Sequence, residues 1–246
     1  MAKYYCILLD ADNTLLDFDS AEEKALDKTL RDYGIEPDEE VISKYREINE
    51  GLWRQLERGQ LRRDKLNTER FTRFLRAVDA AGNGAEMGRS YLRNLSMNPD
   101  VIPGTTEALS ELAEVATLAV VSNGFEEVQT PRMRDSGLAD FIEASFISEK
   151  YDAEKPSKKL FDIALRELGV EHREHVLVVG DGLNSDIRGA VNAGLDSCWF
   201  NPSGAERAPG DPKPTYEVRS LKELYSIVME PEELALVGSK GRRHQV

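Results

Sequence analysis

Apolar residues fall along this chain in two textures. Residues 4–9, YYCILL, form a short uninterrupted run with aromatics at one end, the pattern of a buried strand. From Phe18 onward the spacing becomes helical. Ser20 and Glu23 have the spacing of a capping box ahead of Ala25, Leu26, Leu30 and Tyr33, and Gly34 is placed to end that helix. Pro37 starts a second helix whose apolar positions are Val41, Ile42, Tyr45, Ile48, Leu52 and Leu56. A third runs from about Asp64 with Phe71, Phe74, Leu75 and Val78, and a fourth carries Met87, Tyr91 and Leu95. No strand-like alternation occurs between Phe18 and Asn98.

After Pro103–Gly104 helix and strand patterns alternate. Strands are predicted at 117–121, 144–147, 176–179, 197–200 and 216–218, and helices at 106–114, 157–168, 186–193 and 221–229. Thr130 and Pro131 read as N-cap and first residue of one more helix. Gly169 and Gly194 close the helices before them. Such alternation predicts an α/β fold, a Rossmann-like doubly wound parallel sheet covered on both faces, with the first strand in the same sheet. The helical block is then an insertion. The expected division is a core of residues 1–17 and 99–230, an all-helical cap of 18–98, and a polar, basic tail of 231–246 that frays.

Composition narrows the field. A chain of 246 residues has room for one large domain or a core with a smaller insertion. No apolar run approaches a membrane span. The opening run is stopped by Asp10 and has no cleavage-site pattern, so the expected location is the cytoplasm, with no membrane partner. Cys6 and Cys198 sit in apolar runs without a C-x-x-C pair and are expected as buried, reduced thiols. The formal net charge of −13 repels phosphate backbones, which disfavours a nucleic-acid polymer as partner. A small anionic substrate stays possible if a local positive centre receives it. Monomer and homodimer both stay open.

Ligands of a doubly wound sheet bind beyond the carboxyl ends of its strands. This chain places Asp10, Ala11, Asp12, Asn13 and Thr14 after its first strand, and Ser122, Asn123 and Gly124 after its second. Asp181 follows the strand at 176–179, Asp186 comes five residues later, and Lys155 with Pro156 precedes a helix. Several carboxylates at one edge repel each other unless a cation compensates. Lys155 supplies one charge. Magnesium (Mg2+) suits the remainder, because it takes one or two carboxylates, keeps waters and accepts a phosphate oxygen. The bland alternatives are a polar strand end with an Asx-turn at Asp10 and Asp12, and a plain turn at Asn123-Gly124. His172, His175 and His244 lie in polar surroundings and read as solvated.

The segments LLDADNTLLD, VVSNG, EKP and VVGDGLNSD, in that order, resemble the haloacid dehalogenase superfamily in its phosphatase branch. DFDSAEEKAL, INEGLWRQLERGQL, SNGFEEVQ and SCWFNP are similar to segments of the 5'-nucleotidases that act on pyrimidine nucleoside monophosphates. The resemblance runs from about Tyr4 to Met229. It implies Asp10 as nucleophile, with an aspartyl-phosphate intermediate, and Asp12 as general acid and then base. It implies phosphate binding by Ser122 and the backbone N–H groups of Asn123 and Gly124, and charge neutralisation by Lys155. The metal set it implies is Asp10, the backbone carbonyl of Asp12, Asp181 and, through a water or through Lys155, Asp186. The insertion becomes a cap that excludes water and selects the leaving group. Asn49, Trp53, Arg54 and Arg63 are its candidates for contact with a base or sugar.

Within the family, a sugar-phosphate or phosphoglycolate phosphatase or a phosphomutase is the alternative. A 2-haloacid dehalogenase is opposed by Asp12, since no ester oxygen there needs a proton. A non-catalytic binding protein is opposed by the filled catalytic positions. Three departures from the family pattern stand out: Asn13, Asp152 and Gly182. Asp17, at the exit toward the cap, is assigned no catalytic part.

Overall fold

The computed structural model describes residues 2–57 and 59–229; the expected tail at 231–246 lies outside them. Six parallel strands form one sheet in the order β3-β2-β1-β4-β5-β6. They are β1 (Cys6–Leu9), β2 (Thr117–Ser122), β3 (Ala144–Ile147), β4 (Val176–Gly180), β5 (Asp196–Phe200) and β6 (Tyr216–Val218). β1 and β4 are buried along their whole length, which is why both read as apolar runs without alternation. Successive side chains still go to opposite faces. Ile7, Leu9, Val120, Leu177 and Val179 pack with α5 (Thr105–Ala113) and α10 (Leu224–Val228). Cys6, Leu8, Val121, Val176 and Val178 pack with α8 (Lys158–Glu167) and α9 (Arg188–Ala193), and the one-turn α7 (Ser148–Tyr151) follows β3 directly. The strand order reverses beside β1, so the crevice for a ligand opens between the ends of β1 and β4.

Between β1 and α5 the chain makes four helices: α1 (Phe18–Asp32), α2 (Glu39–Glu57), α3 (Arg63–Ala77) and α4 (Gly84–Ser96). They share a core in which Leu30, Tyr45, Phe71, Phe74, Met87 and Tyr91 are buried, and Val128, from the segment after β2, joins it. Removing one such aromatic costs about 3–5 kcal/mol. α1 begins earlier than the Ser20–Glu23 spacing predicts. Asp17 is its N-cap, accepting from the Ser20 N–H at 3.0 Å, because the chain turns into the helix directly at the end of the linker. The outgoing and returning linkers run side by side. The Asp17 N–H donates to the Asp100 carbonyl at 2.9 Å, and the Ile102 N–H to that of Leu15 at 3.0 Å.

The helix after β2 also departs from expectation. α6 spans Glu126–Asp135 and carries Pro131 inside it, instead of starting at Thr130. The proline forfeits the bond its N–H would have given to the Glu127 carbonyl, at about 3 kcal/mol. Burial of Val128, Gln129, Arg132 and Met133 along one face compensates. A turn of π-helix, Leu183–Ile187, precedes α9, so the helix predicted from 186 begins two residues later.

α3 and α4 approach closely at Gly84. A Cβ there would lie 2.5 Å from the Thr72 backbone nitrogen and 2.7 Å from its Cα. Gly84→Ala is therefore expected to destabilise by about 1–3 kcal/mol, despite alanine's better helix propensity. A thermal melt showing an unchanged or raised midpoint would contradict this packing.

Candidate active site

Asp10 continues the β1 ladder, its N–H donating to the Val179 carbonyl at 2.9 Å, and its side chain is buried at the crevice. Lys155, 4% exposed, reaches it from the loop before α8. The ammonium donates to Asp10 Oδ1 at 2.5 Å, to Asp186 Oδ1 at 2.6 Å and to the Val121 carbonyl at 2.8 Å, using all three of its protons. The loop is fixed by Asn123. Its Nδ2 donates to the Lys155 carbonyl and its Oδ1 accepts from the Lys155 N–H, each at 2.9 Å. Asp152, upstream in the same loop, takes left-handed backbone, with φ 46°.

Thr14 joins the two strand ends. Its hydroxyl donates to Asp10 Oδ2 at 3.4 Å and accepts from the Asp181 N–H at 3.1 Å. Asp186 Oδ2 accepts from the Gly182 N–H at 3.0 Å and from Ser185 Oγ at 3.2 Å. A Cβ on Gly182 would stand 2.8 Å from Asp186 Oδ2, and one on Gly180 2.5 Å from it. The absence of a side chain at Gly180 and Gly182 thus leaves the room in which Asp186 folds back over the loop.

Carboxylate oxygens of Asp10, Asp181 and Asp186 lie within 4.8 Å of one another, against the single charge of Lys155. Burial pushes Asp10 well above the usual carboxylate range, and Asp186, Asp181 and Asp12 push the same way, while Lys155 opposes them. Burial, then Asp186, raises Asp181 to about 7. Burial alone would lower Lys155, but Asp10 and Asp186 outweigh it and hold the ammonium above its ordinary value. Oxygen donors with an unbalanced negative charge fit a hard divalent cation.

The Asp12 side chain is outside this cluster. Arg132, fully buried, donates to its Oδ1 at 2.5 Å, and Gln129 Nε2 to its Oδ2 at 2.6 Å. Gln129 Nε2 also reaches Ser122 Oγ at 3.0 Å, which accepts from the Gly124 N–H at the same distance. Gly124 has to be glycine, because a Cβ would meet the Gln129 side chain at 2.6 Å. Neither Gln129 nor Arg132 is found by the sequence reading. Starting the helix at Thr130 hides their shared face, whereas their i, i+3 spacing on α6 shows it.

One cavity of about 210 Å³ opens onto Asp10, Asp12, Ser122 and Lys155 from one side, and onto Phe18, Glu22, Trp53, Arg70 and Tyr91 from the other. Of the four cap candidates, Trp53 lines it. Arg63 bridges to Glu154 and to the Asn123 carbonyl, both at 2.6 Å. Asn49 donates to Glu22 at 3.2 Å, and Arg54 pairs with Glu50 on the surface. Asn13, with φ 58°, spends its side chain on α1: Oδ1 accepts from the Phe18 and Asp19 N–H groups, and Nδ2 donates to Asp19. Cys6 and Cys198 are buried thiols, pushed up to about 11 and about 12 by burial. Among the described residues no helix is long and apolar enough to cross a membrane.

A carboxylate raised from its unfolded value to about 7 binds its proton more tightly in the folded protein. The metal-free protein therefore loses stability as pH rises from about 4 to about 7. Adding MgCl2 is expected to raise the melting temperature more at pH 8 than at pH 5.5. An equal shift at both pH values in a thermal melt would sink this reading.

The model of the family described as haloacid dehalogenase-like hydrolase matches residues 4–194. The HAD-hydrolase YfnB of Bacillus subtilis is 37% identical over 228 residues, 93% of this chain and 97% of its own. Its crystal structure, described as bound to magnesium and as revealing interdomain movement, superposes with a TM-score of 0.86 over 92% of this chain and 99% of that one. The pyrimidine 5'-nucleotidase PynA of Streptococcus pneumoniae is 32% identical, covering 90% of this chain and 93% of its own. The pyrimidine 5'-nucleotidase YjjG of Escherichia coli is also 32% identical, covering 92% and 98%. The sheet, its acid-bearing edge and these relatives agree: the chain belongs to the haloacid dehalogenase-like hydrolases.

Proposed function

We propose that this hydrolase is a magnesium-dependent phosphatase that cleaves pyrimidine nucleoside 5'-monophosphates through an aspartyl phosphate. The observation that carries the reading is the division of labour between two carboxylates two residues apart. Asp10 is held by Lys155 among the clustered acids, and Asp12 by Arg132 and Gln129, on the floor of one cavity. The names of PynA and YjjG support the substrate class, and the magnesium-bound YfnB structure supports the ion.

Asp10 Oδ2, which among the described residues has only the long contact from Thr14, forms the bond to phosphorus. The ester P–O bond breaks, and Asp12, which takes up a proton on substrate binding, gives that proton to the departing 5'-oxygen. Asp12 then takes a proton from water, the resulting hydroxide attacks phosphorus, and Asp10 leaves as carboxylate. Such proton transfers contribute about 10²–10⁴-fold. Ser122 Oγ already accepts two hydrogen bonds, so its own proton is free for a phosphate oxygen. Asp10, Asp181 and the Asp12 carbonyl would hold magnesium, with Asp186 behind them. When bound, the ion supplies positive charge beside the phosphate oxygens. Residues 18–98 act as the cap over a core of 1–17 and 99–230, excluding water and choosing the leaving group.

Phosphate release from UMP and dTMP is expected to require magnesium, to stop with chelator, and to fall by several orders of magnitude in Asp10→Asn. Activity that survives either treatment would rule out the mechanism. Gln129→Leu removes one of the two donors to Asp12 and the side-chain donor to Ser122, and is expected to lower kcat by about 10–100-fold. A steady-state assay with unchanged kcat would remove Gln129 from a positioning role.

A further inference from the structure

The cavity holds two charged residues that the phosphoryl chemistry does not use. Glu22 projects from α1 and Arg70 from α3, beside the apolar side chains of Phe18, Leu92 and Leu95. Arg70 is 3% exposed and its Nε has no hydrogen-bond partner. Its guanidinium lies over the Tyr91 ring, 5.4 Å from the ring centre. A buried guanidinium with an unused donor is costly unless something completes it. Glu22 is fixed in a complementary way. Tyr45 OH, Tyr91 OH and Asn49 Nδ2 all donate to Oε1, each at 3.2 Å. Among the described residues Oε2 accepts no hydrogen bond. A carboxylate with one oxygen clamped and one open accepts a single directed donor.

We infer that Glu22 and Arg70 read the imide edge of a uracil or thymine base: Glu22 Oε2 accepts the base N3–H, and the Arg70 guanidinium donates to an adjacent base carbonyl. This rests on the nucleotidase reading and names its substrate contacts. The apolar and aromatic walls suit a flat heterocycle better than a polyhydroxylated sugar. A leaving group such as glycolate offers a carboxylate that could pair with Arg70 but no N–H for Glu22 Oε2. Both residues stand on packed helices, and the triple donor set on Oε1 fixes the direction of Oε2 in advance.

The test compares kcat/KM for dUMP, N3-methyl-dUMP and ribose 5-phosphate. With the unaltered enzyme, N3-methylation is expected to lower kcat/KM by about 10–100-fold, the worth of one hydrogen bond to a charged group. In Glu22→Gln, which keeps an acceptor for the tyrosines, the dUMP to N3-methyl-dUMP ratio is expected to fall to within about threefold of unity. If dUMP is preferred to ribose 5-phosphate but N3-methyl-dUMP is cleaved equally well, the Glu22–Arg70 assignment is overturned and the nucleotidase reading stands. If dUMP is no better than ribose 5-phosphate, both fail. The methylation comparison needs no variant, so loss of folding in Glu22→Gln does not shield the inference.

Discussion

One buried ammonium organises this protein. Lys155 ties the end of β1 through Asp10, the end of β2 through the Val121 carbonyl and the turn after β4 through Asp186. Taking a charge out of water costs several kcal/mol, and only a complete set of acceptors repays it. Each neighbouring choice serves that set. Asn123 clamps the Lys155 backbone, and Gly180 and Gly182 leave the space in which Asp186 turns inward. The sheet order that opens a crevice beside β1 puts all three acceptors at one place.

Around that centre, two carboxylates with nearly the same sequence address have different surroundings. Asp10 is buried against other acids, so its charge depends on Lys155. Asp12 faces away from the cluster, toward a buried arginine and a glutamine that also holds Ser122. A two-residue step from the end of a strand is enough to send side chains into these separate environments. Arg132 extends the link further, since its Nε donates to the Asn98 carbonyl in the returning linker at 3.0 Å.

Much of the sheet was legible because buried parallel strands leave apolar runs, and the acids stop those runs where the strands stop. The clustering of Asp10, Asp181, Asp186 and Lys155 follows from topology once those strand ends are known. Gln129 and Arg132 were not legible, because Pro131 looks like a helix start and here sits in a helix interior. Glu22 and Arg70 were hidden for another reason. Periodicity tells which positions of a helix are apolar, but not that polar positions from α1 and α3 will meet inside one cavity. Asn13, a departure from the family pattern, and Asp17, which is assigned no catalytic part, both shape the first turn of α1.

The paired linkers carry a consequence for how such a molecule can change. Asp17 and Asp100, and Leu15 and Ile102, meet as neighbours in a narrow ladder. From the side of the sheet, the whole four-helix excursion therefore behaves like a tight turn, with its ends already pinned together. Closing it adds little entropy cost however long it grows, because that cost rises only with the logarithm of length. Beyond the seam, the inserted helices touch the Lys155 loop through Arg63, which reaches Glu154 and the Asn123 carbonyl. Helix ends remote from this seam and from Arg63 can be lengthened or repacked while the strand ends keep their places.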